Sequence, residues 1–255
     1  MITSPSNPRV KRLVRLRRRR DRETEGVTIV EGVDEVRRAI DAGATVREAY
    51  RRAGHVLEGV DPGVEVEELG AEAFDKASVR GAAAGLLAVV DDPTLTLHEL
   101  EVGVDPLVLV VEGVEKPGNL GAMLRTADAV GVDAVIVADP TTDVANPNVV
   151  RASLGCVFTV PVARASTLET IPWLRGHGVR ITATLVDGAV DLWDADLSGG
   201  VAVVIGTEHE GLADVWAEAA DQAVRIPMRG VADSLNASVS AAVLLYEAAR
   251  QRSTT

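Results

Sequence analysis

The chain is poor in the residues that metal and redox chemistry need. One of its 255 residues is cysteine, Cys156, so neither an internal disulfide nor a paired-cysteine metal site can form. A lone cysteine suits a reducing compartment, and a cytoplasmic location is expected. Histidine is almost as scarce. Four stand at 55, 98, 177 and 209, with no HExxH or HxxxH pair, so no metal is expected. No apolar run approaches the ~20 residues of a membrane-spanning helix. The first residues lack the apolar core of a secretory signal, so neither a membrane nor export is expected. Positive charge is also short. The chain has 26 basic and 38 acidic side chains, a net charge of -12, which taken whole argues against a nucleic-acid partner.

The total hides a division. Residues 1–22 carry nine basic side chains against Asp21 alone, a local charge of +8; the other 17 basic and 37 acidic side chains leave -20 on the remainder. Such asymmetry points to a polyanionic partner, the alternative being a solvated basic tail. Arg9, Lys11, Arg12, Arg17, Arg18, Arg19 and Arg20 are the candidate phosphate contacts.

Ser6-Asn7-Pro8 reads as a helix start, and Val10, Leu13 and Val14 as its apolar stripe. Residues 27–30, 46–50, 64–66 and 86–90 read as strands, and residues 31–40 as a helix. Residues 1–92 thus form a small α/β domain. A linker is expected over 93–105, after Asp91-Asp92-Pro93. Over 106–255 the pattern changes. Residues 107–111, 134–137, 157–160, 180–186, 201–205 and 223–226 are apolar runs rich in Val and Ile that alternate with helical stretches. The expected fold is α/β, with a parallel sheet covered on both faces.

Three motifs carry the chemistry. The first, from Glu112 to Gly121, follows the first of these strands and opens a helix ending near Gly131. Asn119 can cap that helix. Arg125 lies four residues after Gly121 on the same face, and its bland reading is a surface pair with Asp128. The second runs from Gly206 to Leu212 after the strand at 201–205. There Gly206 can let a ligand approach the backbone, and Glu208 is placed to cap a helix or touch a ligand. The third runs from Ile226 to Val239. Asp233 or Ser234 can cap its helix, whereas Asn236 is the polar residue that capping explains least well.

Together, Asn119-x-Gly121-x-x-x-Arg125, Gly206-x-Glu208-x-x-Gly211-Leu212 and Ile226-Pro227-Met228 with Ser234-Leu235-Asn236 resemble the signature motifs of the SpoU (TrmH) family of RNA ribose 2′-O-methyltransferases. The likeness extends over roughly residues 107–250. The first 90 residues resemble, more weakly, the L30e-like substrate-binding domain that precedes the catalytic domain in many members. The resemblance implies a deep trefoil knot at the C-terminus, which general fold rules would not suggest. It also implies a homodimer and S-adenosylmethionine as methyl donor. By position, the donor site would comprise Thr184, Leu185, Gly206, Glu208, Gly211, Ile226, Met228 and Leu235. Arg125 would be the essential catalytic residue, with Asn119, Glu208, Ser234 and Asn236 orienting groups around it. A guanidinium pKa above about 12 resists a literal general-base role. A substrate phosphate relaying the proton and an orienting, charge-stabilising Arg125 both remain open.

The resemblance favours 23S rRNA as substrate, because an L30e-like domain precedes the knot domain in rRNA-modifying members. A tRNA ribose methyltransferase is the alternative within the class. A non-catalytic RNA-binding homologue would lack active-site residues, and all are present here. A nicotinamide-dependent oxidoreductase is the rival from another class: Gly118-x-x-Gly121 follows a strand, and Asp139 lies about 20 residues on, where a ribose-binding acid belongs. That reading lacks a third glycine and leaves the second and third motifs unexplained.

Overall fold

A computed structural model describes residues 1–185, 187–207 and 211–253. Its contacts divide the chain into two units, Met1–Pro93 with Asp143–Thr159, and Thr94–Thr142 with Val160–Thr255.

In the first unit, Asn7 caps α1 (Pro8–Arg15) by accepting from the Arg9 N–H at 2.9 Å, and Pro8 supplies the first helical position. Val10, Leu13 and Leu16 enter the core. The arginine run is not one helix. The backbone is extended at Arg18 and restarts as α2 (Arg19–Glu25), which Gly26 ends in the left-handed region at φ +64°. There follow β1 (Val27–Glu31), α3 (Val33–Asp41), β2 (Val46–Arg52), β3 (Val66–Leu69), α4 (Ala71–Ala77) and β4 (Leu86–Asp91). The sheet order is β1-β4-β2-β3, with β4 antiparallel to β1 and β2, and β3 parallel to β2. β1 is buried along its whole length. Val27 and Ile29 join Phe74 and Leu87 in the core, while Thr28 donates to the Ala145 carbonyl at 2.7 Å.

The second unit contains β5 (Thr94–Leu95), β6 (Leu107–Glu112), α5 (Pro117–Val130) and β7 (Ala134–Ala138). After α6 (Pro147–Ala152), which belongs to the first unit, come β8 (Val162–Ala165), α7 (Thr167–Gly176), β9 (Arg180–Thr184), β10 (Val190–Asp191), β11 (Val201–Ile205), α8 (Asp214–Ala219), β12 (Gln222–Arg225) and α9 (Ala237–Arg252). The order is β10-β12-β9-β11-β6-β7-β8-β5, and every pairing is parallel. The central strands β6, β7 and β11 are buried throughout, as the continuous apolar runs require. Val108, Val110, Ile136, Ile181, Val204 and Trp216 form the core.

The division differs from the expected boundaries in two places. The segment expected as a linker, 93–105, carries β5, which pairs with β8, and Leu95, Leu97 and Leu100 pack into the second core. Residues 143–159 group with the first unit because α6 packs against β1. The strand expected at 157–160 is a 3-10 turn, Cys156–Phe158, entered through Gly155 at φ +82°. The strand itself lies further on, beyond Pro161, as β8. Val186, at the end of the expected 180–186 strand, lies outside the described residues. No helix of the described residues is long and apolar enough to cross a membrane.

Candidate active site

The carboxyl ends of β9, β11 and β12 open on a cavity of about 410 Å³. In an open parallel sheet this is where ligands bind. Thr184 and Leu185 line it from β9, Gly206 and Gly211 from the turn after β11, and Ile226, Met228 and Leu235 from the segment between β12 and α9. These are all the described residues among those assigned to the methyl donor. Glu208, named for both cofactor and catalysis, lies outside the described residues. Thr207, Arg225, Asp233 and Ser240 also line the cavity and were not on that list. Two of them carried a signal: Asp233 adjoins Ser234-Leu235-Asn236, and Ser240 lies one helical turn after Asn236.

The second motif's glycines have a local reason. Thr207 N–H donates to the Gly211 carbonyl at 3.0 Å, folding the turn back on β11. A Cβ on Gly206 would lie 2.1 Å from that carbonyl oxygen, so no larger residue fits. Gly211 has φ +70°. Gly206 therefore permits the loop to close on itself, where the sequence suggested only close approach of a ligand.

The third motif meets the first where α9 packs against α5. α5 begins at Pro117 with Lys116 in the capping position, so Asn119 is not the cap but lies in the first turn. Its Oδ1 accepts from Asn236 Nδ2 at 3.4 Å. Asn236, rather than Asp233 or Ser234, caps α9, its Oδ1 accepting from the Ser238 N–H at 3.0 Å and the Ser238 hydroxyl at 2.6 Å. Ser234 lines the cavity and donates to Asp233 at 3.4 Å. Arg125 is exposed on α5 and makes no hydrogen bond or ion pair with another described residue, so the surface pair with Asp128 does not form.

Beneath the cavity's loops sits Glu112, the last residue of β6 and only 8% exposed. Its carboxylate accepts from the Thr167 hydroxyl at 2.6 Å, the Trp216 indole N–H at 2.8 Å and the Ala213 N–H at 2.8 Å. One buried anion thus ties β6 to the start of α7 and to the chain leaving the Gly211 turn. It stood in the first motif without an assigned role. Asp139, the acid that the nicotinamide reading needed, accepts instead from the Thr167 N–H at 2.9 Å and holds the start of α7.

The arginine segment of the first unit is partly neutralised. Arg12 pairs with Glu25 and Glu48, Arg9 with Glu67, and Arg19 with Glu23. The Glu67 hydrogen bond raises the Arg9 pKa further above its ordinary value. Arg17 donates to the Lys76 and Ala77 carbonyls at 2.8 and 2.9 Å. Arg22 is buried against Asp143 and also donates to the Leu16 and Arg17 carbonyls. Among the candidate phosphate contacts, the side chains of Lys11, Arg18 and Arg20 are exposed and bond to no other described residue.

An all-parallel sheet with a hydroxyl-bearing cavity at its carboxyl ends is the arrangement in which α/β proteins bind small ligands. The particular family follows from comparison. A model described as the SpoU rRNA Methylase family matches residues 106–246, and one described as an MRM3-like substrate binding domain matches residues 7–88. The chain belongs to the SpoU rRNA Methylase family. It is 36% identical to the 23S rRNA (guanosine-2'-O-)-methyltransferase RlmB of Vibrio cholerae, over 74% of this chain and 79% of that one. It is 29% identical to the 23S rRNA (guanosine(2553)-2'-O)-methyltransferase RlmP of Bacillus subtilis, over 96% and 97%. The AdoMet-bound rRNA methyltransferase from Sinorhizobium meliloti matches with a TM-score of 0.90 at 31% identity, over 98% of this chain and 97% of that one.

The cavity fits S-adenosylmethionine. Leu185, Ile205, Ile226 and Leu235 give it apolar walls for a purine. The strand ends offer backbone donors and acceptors, and Asp233 places a carboxylate at the cavity for a cationic ligand. Its volume lies inside the range of about 300–1,000 Å³ usual for cofactor sites.

Proposed function

We propose that this chain is an S-adenosylmethionine-dependent RNA methyltransferase acting on a ribose 2′-hydroxyl of 23S rRNA. The observation that carries the reading is that Thr184, Leu185, Gly206, Gly211, Ile226, Met228 and Leu235 line one cavity, with Ser234 and the Asn119–Asn236 contact contributed by the same motifs. Whole-length similarity to an enzyme named for 23S rRNA supports rRNA over tRNA.

When bound, S-adenosylmethionine supplies an electrophilic methyl group. The chain's residues do the rest. Ile226 and Leu235 give the donor site apolar walls. Arg125 hydrogen-bonds the 2′-oxygen and stabilises the negative charge that develops as its proton leaves, which a permanent cation does better than it accepts a proton. Asn119, Glu208, Ser234 and Asn236 orient the two reactants. Lys11, Arg18 and Arg20 contact phosphates.

The proposal includes a trefoil knot formed by the chain around the cavity, and a homodimer in the cytoplasm. Support for the dimer comes from Met228, Val231, Val239 and Tyr246, large apolar side chains exposed on α9 and the segment before it. The deciding experiment incubates the protein with S-adenosylmethionine and either deproteinised 23S rRNA or total tRNA, then maps 2′-O-methylation. A single methylated ribose in 23S rRNA is expected. Incorporation into tRNA alone overturns the choice of substrate.

A further inference from the structure

The first unit has a pocket of its own, of about 190 Å³, lined by Arg17, Glu31, Val79, Asn146, Pro147, Asn148 and Arg151. We infer that it receives one unstacked nucleotide of the RNA substrate. This deepens the reading proposed above and rests on it.

Size is the first argument. The volume falls below the roughly 300 Å³ at which pockets begin to enclose a whole cofactor, so it suits a single base or phosphate. Charge is the second. Glu31 is the pocket's one carboxylate, and it is fully engaged, accepting at 2.9 Å from the Ser78 hydroxyl and from the Val79 and Arg80 N–H groups. Two guanidiniums outnumber that one carboxylate, so the pocket carries a net positive charge and the ligand is anionic. Arg17 is fixed by the Lys76 and Ala77 carbonyls. Arg151 is exposed and bonds to no other described residue.

Chemistry is the third argument. Asn148 offers a side-chain amide, and Asn146 keeps its Nδ2 donor because its Oδ1 takes the Asn148 N–H at 2.9 Å. Val79, more than half exposed, and Pro147 supply apolar faces. Proteins hold splayed single-stranded RNA by amides that read a base edge, aromatic rings or arginine planes on which the base stacks, and positive charge for the phosphate; here Arg17 and Arg151 supply both plane and charge. The walls are also held by hydrogen bonds within the unit itself. Glu31 holds the Val79 side, while the Arg22–Asp143 pair, the Asp143 bond to the Ala145 N–H at 3.0 Å and the Thr28–Ala145 bond hold the Asn146 side. Pre-organisation of this kind serves binding.

The test measures binding of a labelled single-stranded oligoribonucleotide, and of its blunt duplex, to the full chain and to Arg151→Ala and Val79→Trp. The second variant fills the pocket without changing charge. Both should weaken single-strand binding by about fivefold to tenfold and leave duplex binding and S-adenosylmethionine affinity within about twofold. Arg151→Ala alone should also reduce the slope of log affinity against log salt by about 0.7. Single-strand affinity within twofold of wild type in both variants overturns the inference. Methylation of 23S rRNA with unchanged KM in both variants also overturns it, and leaves the proposed activity standing. Pocket-dependent RNA binding by a wild-type protein that methylates neither rRNA nor tRNA supports the pocket and refutes the activity.

Discussion

Both units hold several arginines in ion pairs, but the first buries one of those pairs, whereas the second leaves its catalytic candidate exposed. In the first, Arg12, Arg22, Arg47, Arg51 and Arg80 all close ion pairs with carboxylates distant in sequence, and Arg22 does so at 1% exposure. In the second, Arg180, Arg225 and Arg250 are paired, while Arg125 stands exposed on α5 without a partner among the described residues. The segment with the densest positive charge is thus partly answered by Glu23, Glu25, Glu48, Glu67 and Asp143. The charge available to a polyanion is what remains after folding. It cannot be counted from the sequence, because it depends on which carboxylates the fold brings near.

This contrast breaks most severely at Arg22. Arg22→Ala would leave Asp143 charged and buried without its guanidinium partner, and the Leu16 and Arg17 carbonyls without a donor, a loss of about 3–5 kcal/mol for a buried pair. The expected outcome is a melting temperature lower by roughly 10 °C, with S-adenosylmethionine affinity retained in protein that remains folded. Differential scanning calorimetry alongside titration of the donor checks both. A small shift in melting would mean that the pair is exchangeable with solvent and that the first unit's arginines are not structural.

Arg125→Ala should do the reverse. Loss of a charge stabiliser for the reacting oxygen costs about 10²- to 10³-fold in methyl transfer. Melting temperature and donor affinity should not move, because the side chain supports nothing in the fold. Radiolabelled methyl transfer at saturating donor measures it. Wild-type turnover would remove Arg125 from the mechanism.

Glu112→Gln sharpens the comparison from the other side, since here the second unit relies on a buried anion. The amide cannot accept from all three donors, and one unmet group costs about 1–3 kcal/mol. Melting should fall by roughly 4–8 °C and donor affinity by about fivefold, because the Ala213 N–H it anchors follows the cavity's Gly211 turn. RNA affinity should stay within twofold. A larger effect on RNA than on the donor would refute the anchoring of the cavity loop.

Much of the candidate site was legible because its residues are constrained locally. Gly206 and Gly211 must be glycine for the turn to close, and β6, β7 and β11 advertise themselves as unbroken apolar runs. The misreadings arose where distant chain decides. Asn119 looked like a cap because nothing in the sequence tells that Lys116 takes that position and that Asn236 lies opposite. Asn236 goes unexplained in the sequence because α9 begins later than a cap at Asp233 or Ser234 would set it. Residues 143–159 carry no sign that they fold with the first unit, since the Arg22–Asp143 and Thr28–Ala145 contacts join positions more than a hundred residues apart. Glu112 shows no purpose in the sequence for the same reason: its three donors, Thr167, Ala213 and Trp216, come from two segments far along the chain.

The smallest effect tests the comparison within the arginine segment itself. Arg18 and Arg20 bond to no other described residue through their side chains, whereas Arg12 closes two ion pairs. If charge left over after folding is what binds RNA, then Arg18→Ala with Arg20→Ala should reduce the slope of log RNA affinity against log salt by about 1.4 to 1.8, two phosphate contacts' share, without altering melting. Arg12→Ala should leave that slope nearly unchanged and lower melting by roughly 2–4 °C, because its guanidinium already neutralises Glu25 and Glu48. Equal slopes for the two variants would mean that RNA displaces the carboxylates and recruits the paired arginines as well. The +8 of the first 22 residues would then act as a whole, and the distinction between structural and available charge would fail.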